Sequence, residues 1–271
     1  MVSGDKSYAP QGAAAALLVA SRFSGAVFER FPENLQPRDA LAAYTVQQAA
    51  HALLERAGFG RQAGWKIGCT TAAMQEYLGM TTPCAGGMFQ ASVWRGRHRF
   101  TTGGRRRLGA ECEIAVRLGV DLPVRPDPYD LEDMAAAVAA SMAAIEVVED
   151  RYLDYSALDA PTLIADDFFH HSCVLGPEVE EFDPHSLRTT NATMFVNDEP
   201  IGSGRGDEVM GDPLTALTWL ANNCAVWGTP LLAGDIVLLG SVVVTHWVVE
   251  NDEITVVNDR LGEVRASFAS A

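Results

Sequence analysis

The segment Gly109-Ala110-Glu111-Cys112-Glu113-Ile114-Ala115-Val116 places two acids two residues apart in an otherwise apolar run. On a strand, alternate side chains share a face, so Glu111 and Glu113 point one way and Cys112 and Ile114 the other, into apolar surroundings. Adjacent carboxylates repel each other unless a positive charge sits between them. A hard divalent cation, Mg²⁺ or Mn²⁺, meets that need because it prefers oxygen ligands. The plainer reading is an edge strand with a solvated acidic face. A third acid, Glu146, lies in Ala143-Ala144-Ile145-Glu146-Val147-Val148, where a carboxylate is rarely buried without a partner. Together the three would form a carboxylate site with positions left for water or substrate; the alternative for Glu146 is an ion pair with an arginine. Glu149 and Asp150, at the end of that run, are expected to be solvated.

Gly64-Trp65-Lys66-Ile67-Gly68 sets one lysine between an aromatic and an aliphatic residue, flanked by glycines. Apolar neighbours and a nearby cation both disfavour an ammonium, so Lys66 is a candidate acid–base group. It could equally be a fixed counter-charge to the carboxylates or a surface lysine. Gly202-Ser203-Gly204-Arg205-Gly206 lacks the spacing of a phosphate loop and is expected to be a flexible turn near a ligand. His170 and His171 follow Asp166-Asp167-Phe168-Phe169; on an extended chain, at most one of the two faces a site. The six arginines between Arg95 and Arg107 reverse the local charge and suit a solvated turn or a subunit contact as well as substrate binding.

The elements that must position these residues change in character along the chain. Ala13–Phe31 has helical spacing until Pro32 and Pro37, and Asp39 caps a second helix that stops at Gly58–Gly60. Beyond Gly64, short apolar runs bounded by turns dominate: Trp65–Gly68, Ala110–Leu118, Thr193–Val196, Ile236–Leu239, Val242–Val249, Ile254–Val257 and Val264–Phe268. Two helices interrupt them. One begins near Asp130 and includes the Ala-rich stretch Met134–Ala140; the other has Asp212 as N-cap, Pro213 at its first position and Gly228 as its stop. Strands and helices without a repeating βαβ unit predict an α+β fold, with a helical N-terminal portion over 1–62 and a β-rich metal-binding domain over 63–271.

Composition narrows the partners. The 271 residues include 20 Lys and Arg against 35 Asp and Glu, a net charge of −15 that repels nucleic acid and anionic lipid. No apolar run approaches the roughly 20 residues of a membrane span. Five cysteines without CxxC spacing argue against a disulfide framework or a zinc cage and suit a reducing, cytoplasmic compartment. Lys6 followed by Ala13–Ala20 is the one signal-peptide-like feature, and its apolar pattern runs on past charged residues as a helix would. Small molecules, cations and further copies of the chain are the expected partners.

Taken together, the segments resemble the fumarylacetoacetate hydrolase superfamily, in its 2-keto-4-pentenoate hydratase and 4-oxalocrotonate decarboxylase branch. The resemblance rests on Gly64–Thr70 with Met74–Leu78, Glu111-x-Glu113, Ala144-Ile145-Glu146, Gly211-Asp212-Pro213-Leu214 leading into Leu217–Asn222, and Leu231–Ser241. It implies a mixed β-roll or β-sandwich core, Mg²⁺ or Mn²⁺ on Glu111, Glu113 and Glu146, an active-site Lys66 and a homo-oligomer. Matching positions make Asp166 and His170 candidate catalytic groups, and Cys84, Phe168, Phe169 and Ser241 candidate substrate-binding groups. The pocket departs from the branch's pattern. Cys84 stands where hydratases have Asp, Asp166-Asp167-Phe168-Phe169 where they read Asp-Asn-Ala-Ser, and Val242-Val243-Val244 where they have small polar residues. A less polar pocket and a more apolar substrate are expected. A 2-hydroxy-2,4-dienoate offers a divalent ion its carboxylate and enol oxygen, and stabilising charge on the C2 oxygen serves hydration, decarboxylation and C–C cleavage alike. The implied activity is a metal-dependent hydratase acting through a metal-stabilised enolate. The alternatives are a 4-oxalocrotonate-type decarboxylase, a β-diketo acid hydrolase using His170 or His171 as base, and a catalytically silent oligomeric partner subunit.

Overall fold

The computed structural model describes residues 10–270, without the side chains of Ala72, Ala73 and Tyr77; Lys6, part of the signal-like feature, lies outside them. Two helices open the chain, α1 (Pro10–Ser24) and α2 (Ala40–Leu54). The Asp39 carboxylate caps α2 by accepting from the Ala42 N–H at 2.8 Å, as its position before the apolar pattern implies. The first helix is shorter than its apolar pattern suggests. It ends before Gly25, which has φ +67°, and Phe28 beyond it bridges to Tyr152.

The chain then runs through β1 (Gln62–Gly68), α3 (Ala72–Tyr77), β2 (Cys84–Phe89), β3 (Val93–Arg95), β4 (Arg97–Thr101), β5 (Leu108–Leu118), α4 (Leu131–Ala137), β6 (Val138–Glu149), α5 (Ala160–Ala165), β7 (His170–Leu175), β8 (Asn191–Val196), β9 (Glu199–Arg205), α6 (Pro213–Trp227), β10 (Ile236–Ser241), β11 (His246–Trp247), β12 (Glu253–Asn258) and β13 (Gly262–Ala269). An eight-stranded mixed sheet has the order β2-β1-β10-β5-β6-β7-β3, with β11 on the side of β5; a five-stranded sheet has the order β4-β13-β12-β8-β9. The second sheet packs against the first through β12 and β13 over β6 and β7. This is the α+β, two-sheet architecture the sequence predicts. Residues of α1 and α2 share one hydrophobic cluster with β1, β5 and β6, including Leu18, Leu54, Ile67, Ile114 and Ile145. The helical N-terminal portion is therefore packed into the same core as the strands.

Three further local expectations change. Helix α4 stops at Ala137, and Val138-Ala139-Ala140 belongs to β6. This strand lies between β5 and β7 with ladder partners on both sides, and sheet pairing overrides the helical propensity of alanine. Only His246–Trp247 of the Val242–Val249 run is strand. The Gly202–Gly206 segment is not a loop against a ligand: Gly202 and Gly204 lie in β9, and a Cβ at Gly204 would meet the Val242 carbonyl oxygen at 1.9 Å. Close approach of two backbones is what this glycine serves. By contrast, Asn197-Asp198 forms the expected two-residue hairpin between β8 and β9, both residues at positive φ. Asp212 and Gly228 bound α6 as expected.

Gly204→Ala is expected to lower stability by about 3 kcal/mol or more, because the clash is with backbone and not with a movable side chain. Chemical denaturation measures this, and a variant as stable as the parent would contradict the packing described.

Candidate metal centre and its cavity

Pairing of β5 with β6 puts Glu111 opposite Glu146 and Glu113 opposite Ala144. Partners across an antiparallel ladder share a face, so Glu146 joins Glu111 and Glu113 on one side of the sheet. Two strands away, β1 runs parallel to β10 with Lys66 beside Leu238, and Leu238 is opposite Ala115 of β5. That register brings Lys66 to the same face. Cys112 and Ile114 point into the main core. One ligand oxygen from each of Glu111, Glu113 and Glu146 lies within 4.8 Å of the others.

Each acid is held differently. Glu111 Oε1 accepts from the Thr245 hydroxyl at 2.5 Å. Glu113 Oε2 accepts from the Gly240 N–H at 2.7 Å, presented by an irregularity in the β10–β5 ladder between Leu238 and Ser241. Glu146 Oε1 faces Lys66 Nζ at 3.1 Å and His170 Nδ1 at 2.9 Å. Its Oε2 is buried with no hydrogen-bond partner. An orphaned carboxylate oxygen beside two more acids is the donor set a hard divalent cation takes, so the residues present fit such an ion.

The electrostatics point the same way. Burial, and then repulsion from Glu146, raises the Glu111 and Glu113 carboxyls above the ordinary range, Glu113 strongly. Burial also opposes charge on Glu146, but Lys66 and His170 outweigh it and hold this acid ionised. Lys66 is 2% exposed. Burial works against its ammonium, yet Glu146 and then Glu111 keep its pKa above the lysine value, so it stands as a cation and not as a free amine.

The face opens into a cavity of about 310 Å³. Lys66, Glu111 and Glu113 line one part of it; Phe168, Phe169, Val242, Val243, Met74 and Leu78 line much of the rest. Ser241, Thr70, Thr71 and Tyr155 supply hydroxyls, and Glu208 adds an exposed acid. Of the sequence candidates, Lys66, Glu111, Glu113, Phe168, Phe169 and Ser241 thus meet at the cavity, with Glu146 behind Lys66. Cys84 is fully buried and does not line it; its neighbour Cys69 does. His170 also stays off the wall, orienting Glu146 from behind. No histidine is among the described residues that line the cavity, so neither His170 nor His171 stands on the wall as the base that the hydrolase reading needs. Burial pushes the His171 pKa down to about 3.

Asp166 is the other departure. It lies off the cavity wall, and its oxygens are taken up by Arg22, Arg151 and the Tyr152 hydroxyl. Asp167, fully buried, accepts from the Gly87 N–H at 2.8 Å, faces His51 Nε2 at 2.6 Å and pairs with Arg22 Nη2 at 2.7 Å. These ion pairs anchor the turn that follows. Asp167, Phe168 and Phe169 have φ of 55°, 48° and 66°, a left-handed run that costs about 1–2 kcal/mol per residue. Its reward in geometry is that both phenyl rings reach the cavity. Glu149 and Asp150 are buried and not solvated; Glu149 pairs with Arg105 at 3.2 Å. Sequence reasoning did not find Thr245, Tyr155, Glu208 or the Arg22–Asp167–His51 anchor. The adjacent acids Asp166 and Asp167 before two phenylalanines were the available signal for the anchor.

The fumarylacetoacetate (FAA) hydrolase C-terminal family model matches residues 88–269. The chain belongs to the fumarylacetoacetate hydrolase family. Within it, the chain is 34% identical over 232 residues to a 2-keto-4-pentenoate hydratase of Paraburkholderia phymatum, covering 85% of this chain and 87% of that protein. It is 27% identical over 226 residues to a 4-oxalocrotonate decarboxylase of Pseudomonas putida, covering 83% and 84%. The solved structure of 4-oxalocrotonate decarboxylase from Pseudomonas putida G7, complexed with magnesium and adipate, superposes with a TM-score of 0.86 at 26% identity, over 95% of this chain and 97% of that one.

Two outcomes are expected. Glu113→Gln should weaken Mg²⁺ or Mn²⁺ binding by ~100-fold or more while keeping the fold, since even outer-shell changes cost 10–100-fold; unchanged affinity by titration calorimetry would contradict the ligand set. Asp167→Asn leaves His51 facing no carboxylate and Arg22 with Asp166 as its remaining partner, a loss of about 3 kcal/mol at pH 7. Burial opposes the Asp167 charge, but His51 and Arg22 hold its carboxyl below the usual range. Its contribution is therefore complete above about pH 4 and is lost as pH falls below that. The stability gap between parent and variant should narrow on acidification from pH 7 to 3; a constant gap would contradict the charged anchor.

Proposed function

We propose that the chain is a divalent-metal-dependent lyase of the hydratase type, acting on a small 2-hydroxy- or 2-oxo-dienoic acid, with Mg²⁺ or Mn²⁺ held by Glu111, Glu113 and Glu146. The observation that carries the reading is the three-carboxylate cluster with one orphaned buried oxygen, set beside a charged Lys66 in a largely apolar cavity. Identity with the Paraburkholderia hydratase across most of both chains supports hydration as the reaction. Likeness to the decarboxylase, in sequence and in fold, supports decarboxylation of a 2-oxo acid as the second reading.

When bound, the ion supplies Lewis-acid stabilisation of negative charge on the substrate's C2 oxygen. The remaining work falls to the chain. Lys66 Nζ, held on Glu146 at 3.1 Å, offers a fixed positive charge and protons to an acid bound beside Glu111 and Glu113. As a cation it suits charge neutralisation or proton donation and not Schiff-base formation, which needs the free amine. Thr70, Thr71 and Tyr155 place hydroxyls on the cavity wall, where they can hold a water for addition. Phe168, Val242 and Val243 exclude bulk water from the charged end, strengthening the electrostatics there. His170 orients Glu146 and touches no part of the cavity. Five buried free cysteines support a reducing cytoplasmic setting, and homo-oligomerisation is part of the same reading.

The Mg²⁺-loaded protein, given a panel of 2-hydroxy-2,4-dienoates and 4-oxalocrotonate, is expected to add one water to the dienoates with the carbon skeleton intact, followed by NMR. Lys66→Met should lose at least ~100-fold in turnover while keeping its metal. Carbon dioxide release from 4-oxalocrotonate with no hydration of any dienoate would overturn this reading in favour of the second.

A further inference from the structure

We propose that this cavity selects monoacids whose end remote from the carboxylate is apolar and extended, and discriminates against dicarboxylates. The inference rests on the functional reading above and adds to it the class of substrate. All of the cavity's positive charge sits at one end. Lys66 is the only cation among the described lining residues, and it is already committed to Glu146. The Phe168 ring lies under its ammonium, with the centroid at 5.2 Å, and Phe169, Met74, Leu78, Val243 and Val244 supply further apolar wall. Besides Glu111 and Glu113, the one other charged side chain among the described lining residues, Glu208, is an acid.

A second carboxylate at the far end of a bound acid would meet no counter-charge, and burying an unpaired carboxylate among apolar groups is costly. An apolar tail in the same place loses no solvation and gains contact. There is room for one: pockets for drug-sized molecules begin at roughly 300 Å³, and this cavity of about 310 Å³ is only partly filled by a five-carbon acid.

The aromatic wall is fixed in place before a ligand arrives. Phe168 and Phe169 sit on the left-handed turn anchored by Asp166 and Asp167. The Phe168 ring lies on the backbone of Gly68, where a Cβ would meet its Cδ1 at 2.5 Å. The Phe169 ring stands edge-on to Tyr152 and Tyr155, with centroids at 5.3 and 5.4 Å. A strained turn held by buried ion pairs, presenting two rings to the cavity, is a built surface for an apolar tail.

Unreactive saturated 2-oxo acids test this without requiring turnover. Titration calorimetry of the Mg²⁺-loaded protein compares 2-oxopentanoate, 2-oxohexanoate, 2-oxooctanoate and 2-oxoadipate. Affinity should rise roughly fourfold for each methylene that is buried, and 2-oxoadipate should bind at least ~10-fold more weakly than 2-oxohexanoate of equal chain length. Val244 is 89% exposed at the cavity edge, so Val244→Lys should fold normally and narrow the gap against 2-oxoadipate. Affinity independent of tail length, or 2-oxoadipate binding as tightly as 2-oxohexanoate, would overturn the inference and leave the functional reading standing. Failure of all four acids to bind would overturn both.

Discussion

Three carboxylates on one face of a sheet, with one lysine among them, set the terms for the rest of this structure. Left alone they repel, and burial makes the repulsion worse. The fold accepts that cost at a single place, where β5 and β6 are paired with their acids side by side. Lys66 and His170 both approach Oε1 of Glu146 and leave Oε2 without a partner. Charge is thus partly compensated from one side and left unsatisfied on the other. A divalent cation completes such an arrangement, and the carboxylate and C2 oxygen of a 2-oxo acid are hard oxygen donors for such an ion.

The neighbouring elements serve that face. An irregular β10 offers the Gly240 N–H to Glu113, and the segment between β10 and β11 brings Thr245 to Glu111. Beside Lys66, an ionic anchor on Arg22, His51 and Arg151 holds a backbone conformation that would otherwise be unfavourable, and two phenyl rings reach the cavity as a result. Arg22 belongs to α1 and His51 to α2. The N-terminal helices therefore shape the cavity from a distance as well as closing the core. One network places the carboxylate face; a separate one places the aromatic wall of the cavity.

Much of this was legible in the residues, and the unread parts have physical reasons. Alternation along β5 placed Glu111 and Glu113 together because strand geometry is local. Glu146 was suspect because it is an acid in an apolar run, although nothing local gave its register against Glu111. Caps such as Asp39 and Asp212 were readable because capping is decided within one turn. The start of β6 reads as helix in the sequence because alanine is a helix former, whereas sheet pairing, a long-range effect, makes it strand. By its matching position in the sequence, Asp166 reads as a catalytic acid. Its role in the ion-pair anchor depends on Arg22 and Arg151, one of them 144 residues away, and no local pattern encodes that. Cys84 sits next to the cavity in sequence terms, but its side chain points into the core while Cys69 takes the wall.

The most direct measurement of the central claim is a crystal structure of the protein soaked in Mn²⁺, with anomalous difference maps locating the ion. A single strong peak within about 2.0–2.4 Å of oxygens from Glu111, Glu113 and Glu146 is the result this account predicts. An ion bound elsewhere on the protein, with the three carboxylates engaged only with Lys66, His170, Thr245 and Gly240, would contradict it.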